Sequence, residues 1–147
     1  MTHAIATPLE VSLRIGPDGP ATYIDVRTVA EFVKGHPRGR VLNVPIEFYH
    51  PKTGATHGNA SFLLVMGYTL PLTAPLIVGG DEGPRADVAA AALRAAGYAN
   101  VSVMRVGLAG WREIGLPVTG NNAPGVSYVS LLTPAKRKDG VAAAEHL

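Results

Sequence analysis

Four short β-branched-rich runs constrain this chain most: residues 23–26 (YIDV), 41–44 (VLNV), 76–78 (LIV) and 101–104 (VSVM), each near glycine or proline. Runs this short and apolar read as strands buried on both faces, the condition of a parallel sheet covered by helices. The intervening segments supply helices. Thr28 stands as N-cap with Glu31 three residues on, a capping-box spacing that predicts a short helix over 28–34. An alanine-rich segment over 86–96 carries Asp87 at its start and Arg94 near its end, which suits the helix dipole. It stops at Gly97, a residue suited to a left-handed cap. A second capping box, Thr7-Pro8-Leu9-Glu10, is placed to open a helix near the N-terminus, although Val11, Ser12 and Ile15 propagate one poorly. Alternating strands and helices predict an α/β fold with a mainly parallel sheet.

From Thr119 onward, Thr-Gly-Asn-Asn-Ala-Pro-Gly reads as a loop leading into a tail of undetermined order, in which residues 141–147 form a short helix or fray. With 147 residues, 47% hydrophobic and 16% charged, the composition is that of one compact globular domain. The apolar runs are too short to cross a bilayer. Residues 1–9 lack a basic segment followed by an apolar stretch. The expectation is therefore a cytoplasmic protein with no membrane partner. A net charge of +2 and a pI near 9.1 do not imply nucleic acid. Basic residues are dispersed, the tight cluster Lys136-Arg137-Lys138 lies in the polar tail, and no aromatics interleave with it. The cysteine count is zero, which removes disulfides, Cys-ligated metals and thiolate nucleophiles from these residues.

One ordered set of motifs goes further. Asp25-Val26-Arg27 is followed by Glu31-Phe32, Gly35-His36 and Asn43-Val44-Pro45. Leu76-Ile77-Val78 then leads into Gly80-Asp81-Glu82-Gly83-Pro84-Arg85, and Gly97-Tyr98, Asn100-Val101, Trp111 and Gly115-Leu116-Pro117-Val118 come after it. In this order and spacing, over residues 23–118, the set resembles a rhodanese domain. The resemblance implies a mainly parallel five-stranded sheet flanked by helices on both faces. It also implies a domain over 1–119 and a partly ordered C-terminal extension over 120–147.

In active rhodaneses a strand ends in a cysteine that begins a six-residue loop with Gly fourth and Arg sixth. Backbone N–H groups of the loop and a helix N-terminus converge on the sulfur, lowering its pKa and holding the transferred persulfide. Here Gly83 and Arg85 occupy the fourth and sixth places, and Gly80 stands where the cysteine belongs. Asp81 and Glu82 add two carboxylates beside an anion site, each opposing an anion by about 1 kcal/mol at roughly 4–6 Å. Pro84 removes a loop donor, and Ala86 replaces the Ser or Thr of many active members.

The resemblance therefore implies a catalytically inactive binding or regulatory module. Its recognition surface is the loop 80–85, it needs no cofactor or metal, and its partner is a protein or small molecule the sequence does not name. The alternative is a thiosulfate or persulfide sulfurtransferase whose native cysteine is replaced at Gly80. A related phosphatase needs the same cysteine and a longer loop. A nucleotide loop needs a Gly-Lys-Ser/Thr ending or a full Gly-x-Gly-x-x-Gly, and has neither. A catalytic or metal-binding role for Asp81 is set against the commoner solvated loop carboxylate.

Asp25 and Arg27 read as scaffold residues supporting neighbouring loops. Arg85 either pairs internally with Asp81 or Glu82 or faces a partner's carboxylate, and Trp111 reads as core. The five histidines, His3, His36, His50, His57 and His146, show no i,i+4 pairing; His50 and His57 share a loop-rich region that can bring them together in space, and such loop histidines read as surface residues rather than ligands. His36 is the exception, matching the family's structural Gly-His pair.

Overall fold

The computed structural model describes residues 4–81 and 83–145, so Glu82, His3 and His146 lie outside the described residues. Five strands form the central sheet: β1 (Ala4–Ile5), β2 (Thr22–Asp25), β4 (Val41–Asn43), β7 (Leu76–Gly79) and β8 (Val101–Met104). Their order is β1-β8-β7-β2-β4, and every pairing is parallel. The three inner strands are buried at every residue, which explains why their sequences run apolar instead of alternating. The two-residue edge strand β1 is too short to leave a pattern in the sequence.

Helices cover both faces, as the resemblance implies. On one face lie α1 (Pro8–Arg14), α2 (Val29–Lys34) and α5 (Gly107–Glu113). They place Val11, Phe32 and Trp111 against Tyr23, Ile77 and Met104. On the other, α3 (Phe62–Thr69), α4 (Arg85–Ala95) and α6 (Tyr128–Glu145) pack against Ile24, Val26, Val78 and Val103. Both capping boxes form: Thr7 and Thr28 accept from the amides of Glu10 and Glu31, whose carboxylates accept in return from the Thr7 and Thr28 amides. Helix α4 buries Ala86, Ala89, Ala90 and Leu93, a stripe small enough to bring the helix close to the sheet. Gly97 follows it with φ of +108°.

The C-terminal segment differs from the sequence reading. Helix α6 begins at Tyr128, well before residue 141, and runs through Pro134. Proline in a helix interior costs about 3 kcal/mol and argues against a helix from sequence alone. Tyr128, Leu131 and Ala135 nevertheless sit buried in the same cluster as Phe62, Val65 and Met66 of α3, and that burial offsets the proline.

Two small antiparallel pairs complete the molecule. Strand β3 (His36–Pro37) pairs with β9 (Val118–Thr119), and β5 (Glu47–Tyr49) pairs with β6 (Thr56–Gly58). The buried His36 ring stacks on Phe32 with centroids 3.7 Å apart. Its Nε2 lies 2.8 Å from the Asn121 carbonyl oxygen. His36 thus fastens α2 to the segment following β9.

Candidate functional site

The site forms where β7 ends. Gly79 is required there, because a Cβ would fall 1.7 Å from the Tyr23 hydroxyl oxygen. The Tyr23 ring occupies the space where a Gly79 side chain would lie. Among the described residues its buried hydroxyl has no hydrogen-bond partner, and burial, reinforced by the charge of Asp25, pushes its pKa well up. Gly80 is different. A Cβ there would meet Val26 Cγ2 at 3.6 Å and Arg27 Cγ at 3.7 Å, ordinary contact distances. Gly107, with φ of +63°, brings the start of α5 against the loop, where a Cβ would lie 2.7 Å from the Gly80 oxygen. The Leu108 amide donates to that same oxygen at 3.2 Å.

Among the described residues, both charges of the loop, Asp81 and Arg85, are paired within the protein. Arg85 donates to both carboxylate oxygens of Glu31, at 2.7 and 2.9 Å, and also to Asp81 Oδ2. Asp81 Oδ1 accepts from the Gly83 amide at 3.0 Å. Hydrogen bonding to Arg85 holds the Glu31 carboxyl at about 2 despite partial burial, with help from Thr28 and the Arg85 charge. Burial raises Asp81, but hydrogen bonds from Arg85 and the Gly83 amide bring it below its ordinary value. The Arg85 guanidinium is raised in turn, chiefly by Glu31. Of the internal partners the sequence offered Arg85, Asp81 is met, and Glu82 lies outside the described residues. Glu31, the strongest partner, was legible only as a capping residue because 54 positions separate it from Arg85.

Asp25 and Arg27 form a buried bidentate pair, with Nε to Oδ1 at 3.0 Å and Nη2 to Oδ2 at 2.8 Å. Arg27 Nη2 also donates to the Gly35 carbonyl at 2.7 Å. The Asn43 amide donates to the backbone oxygens of Asp25 and Arg27. The cluster ties the end of β2 to β4 and to the end of α2. Burial raises the Asp25 carboxyl against the opposing pull of Arg27.

Two concavities flank the loop. One, of about 550 Å³, is bounded by Arg27, Gly80, Asp81, Leu108 and Arg112. The other, about 850 Å³ and mostly apolar, opens between α2, the β5–β6 hairpin and the start of α4. Sequence reasoning missed the hairpin's part in it: Phe48 and Tyr49 come to line the groove only through tertiary packing. His50 and His57 share this hairpin. His50 Nδ1 accepts from the Lys52 and Thr53 amides, and the His57 ring rests against Phe48. Lys136, Arg137 and Lys138 are exposed on α6.

The family model for the rhodanese-like domain matches residues 7–114, and the chain belongs to this family. It is 31% identical over 119 residues to rhodanese-like domain-containing protein 15, chloroplastic, of Arabidopsis thaliana, covering 79% of this chain but just 64% of that relative. It is 30% identical over 120 residues to thiosulfate sulfurtransferase 16, chloroplastic, of the same plant, covering 80% of this chain and 98% of the relative. Among solved structures, the Alr3790 protein of Anabaena superposes with a TM-score of 0.65 at 24% identity, covering 79% of this chain and 82% of that one. Among the described residues, no helix is long and apolar enough to cross a membrane.

Proposed function

We propose that this domain is a catalytically silent rhodanese-like module, binding or regulatory in role, whose recognition surface is centred on the loop 80–85. The observation that carries the reading is the filling of the loop from within. Gly80 offers no nucleophile, and the Asp81 carboxylate takes the Gly83 amide and part of the Arg85 guanidinium. In this reading the Asp81 carboxylate takes donors that an external anion would need, and Glu31 takes two further N–H groups of Arg85. Asp25 and Arg27 act as support for the loop in this reading. The domain spans 1–119, with 120–147 as an extension docked through α6, and its setting is cytoplasmic.

A second reading, sulfur transfer by a domain carrying cysteine at position 80, has one observation in its favour. The space around Gly80 accepts a Cβ without a close contact. In that chemistry a thiolate attacks the sulfane sulfur of thiosulfate and releases sulfite. Cyanide then takes the outer sulfur as thiocyanate and regenerates the thiolate. The test compares thiocyanate formation by the unchanged chain and by Gly80→Cys. Silence in both supports the binding module, and activity in the variant alone supports the second reading. Thiocyanate from the unchanged chain overturns the proposal.

A further inference from the structure

The 850 Å³ groove beside the loop has a composition at odds with the chain as a whole. Its walls carry Ile46, Phe48, Tyr49 and Val88, and its charged lining residues are Glu31, Glu47, Asp81 and Arg85. Tyr49 and Val88 are each more than half exposed. Among the described residues, three carboxylates and one guanidinium thus line it, in a protein whose formal net charge is +2. The guanidinium is already committed. Arg85 is only 13% exposed and binds both Glu31 and Asp81, so it offers little to an incoming anion. A groove with apolar walls and residual negative charge favours a cation carried on an apolar body, and the rings of Phe48 and Tyr49 add their electron-rich faces.

The hairpin favours a peptide over a compact amine. It pairs with no third strand among the described residues, and residues of both its strands line the groove. Its outer backbone groups therefore carry no strand partner and are available to an extended chain. We propose that this groove binds a segment of a partner protein presenting an arginine or lysine beside an aromatic or branched apolar side chain. The inference rests on the reading of the loop as a recognition surface. It names the chemistry recognised, a cationic ligand in place of the anionic sulfur donor.

The test titrates the isotope-labelled domain at low salt with acetyl-leucyl-arginyl-phenylalanine amide. Its glutamyl counterpart and benzylamine serve as comparison probes, followed by amide shifts. Saturable shifts at Ala30, Phe48, Gly58 and Val88 are expected with the arginyl peptide alone. Glu47→Gln should weaken binding about fivefold, the scale of one partly exposed ion pair. Val88→Lys should abolish it, while Val129→Lys, at an exposed position on α6, should leave it unchanged. Equal binding of the glutamyl peptide, shifts elsewhere, or no saturable binding overturns the inference. Benzylamine binding as tightly as the peptide also overturns it, by making the occupant a small organic cation. Thiocyanate formation is measured on the same samples. A silent domain that fails to bind refutes this inference alone, whereas thiocyanate from the unchanged chain refutes the functional reading beneath it.

Discussion

Replacing Arg85 with methionine removes the cation shared by Glu31 and Asp81 while keeping much of the side chain's length. The magnitude follows from Glu31, whose carboxyl lies at about 2 against an ordinary 4.5. At full strength that difference corresponds to about 3 kcal/mol, shared between Arg85, the leading cause, and the Thr28 hydrogen bonds. The Glu31 side chain is 38% exposed, and solvent screening reduces the figure to about 1–2 kcal/mol. Asp81, half exposed, adds a few tenths. Because folding lowers the Glu31 pKa, the stabilisation is present above about pH 4.5 and is lost as pH falls toward 2. Urea unfolding at pH 7 should therefore show Arg85→Met less stable by about 1–2 kcal/mol. More than half of that difference should vanish by pH 3. A cycle with Glu31→Gln should return a coupling of about 1 kcal/mol, since the two side chains touch. A pH 7 cost within experimental error of zero, or one that persists undiminished at pH 3, would refute the account of a loop held by its own charges.

Three further perturbations probe the scaffold. Tyr23→Phe removes a buried hydroxyl that has no partner among the described residues and should raise stability by about 1 kcal/mol; a loss in thermal or urea unfolding would mean the hydroxyl is satisfied. Arg27→Met leaves Asp25 buried without its bidentate partner and should cost about 3–5 kcal/mol, read as a lower urea midpoint. A cost below about 1 kcal/mol would show that the pair does not hold the strand end. Leu131→Ala should cost about 2–4 kcal/mol if α6 shares the core with α3, whereas an unaffected midpoint would detach that helix from the domain.

Much of this protein could be read along the chain, because the features concerned are local. The strand runs announce themselves as short β-branched-rich segments near glycine or proline. The helices at Thr7 and Thr28 announce themselves through capping boxes that close within four residues. The place of Gly80 in the loop followed from motif order and spacing. That no thiol can act from these residues followed from composition.

Tertiary structure decided whatever depends on distant residues meeting. Edge strand β1 exists only by pairing with β8. Helix α6 persists through Pro134 because Tyr128, Leu131 and Ala135 find the face of α3, a gain invisible to local propensity. The partner of Arg85 was undetermined in one dimension, since Glu31 serves visibly as the third residue of its own helix and reaches Arg85 only when α2 packs beside the loop. The same packing brings the β5–β6 hairpin alongside and forms the acidic, apolar-walled groove. Sequence patterns report hydrogen bonds and burial repeated over a few residues; a charge network or a groove depends on which elements the sheet order makes neighbours.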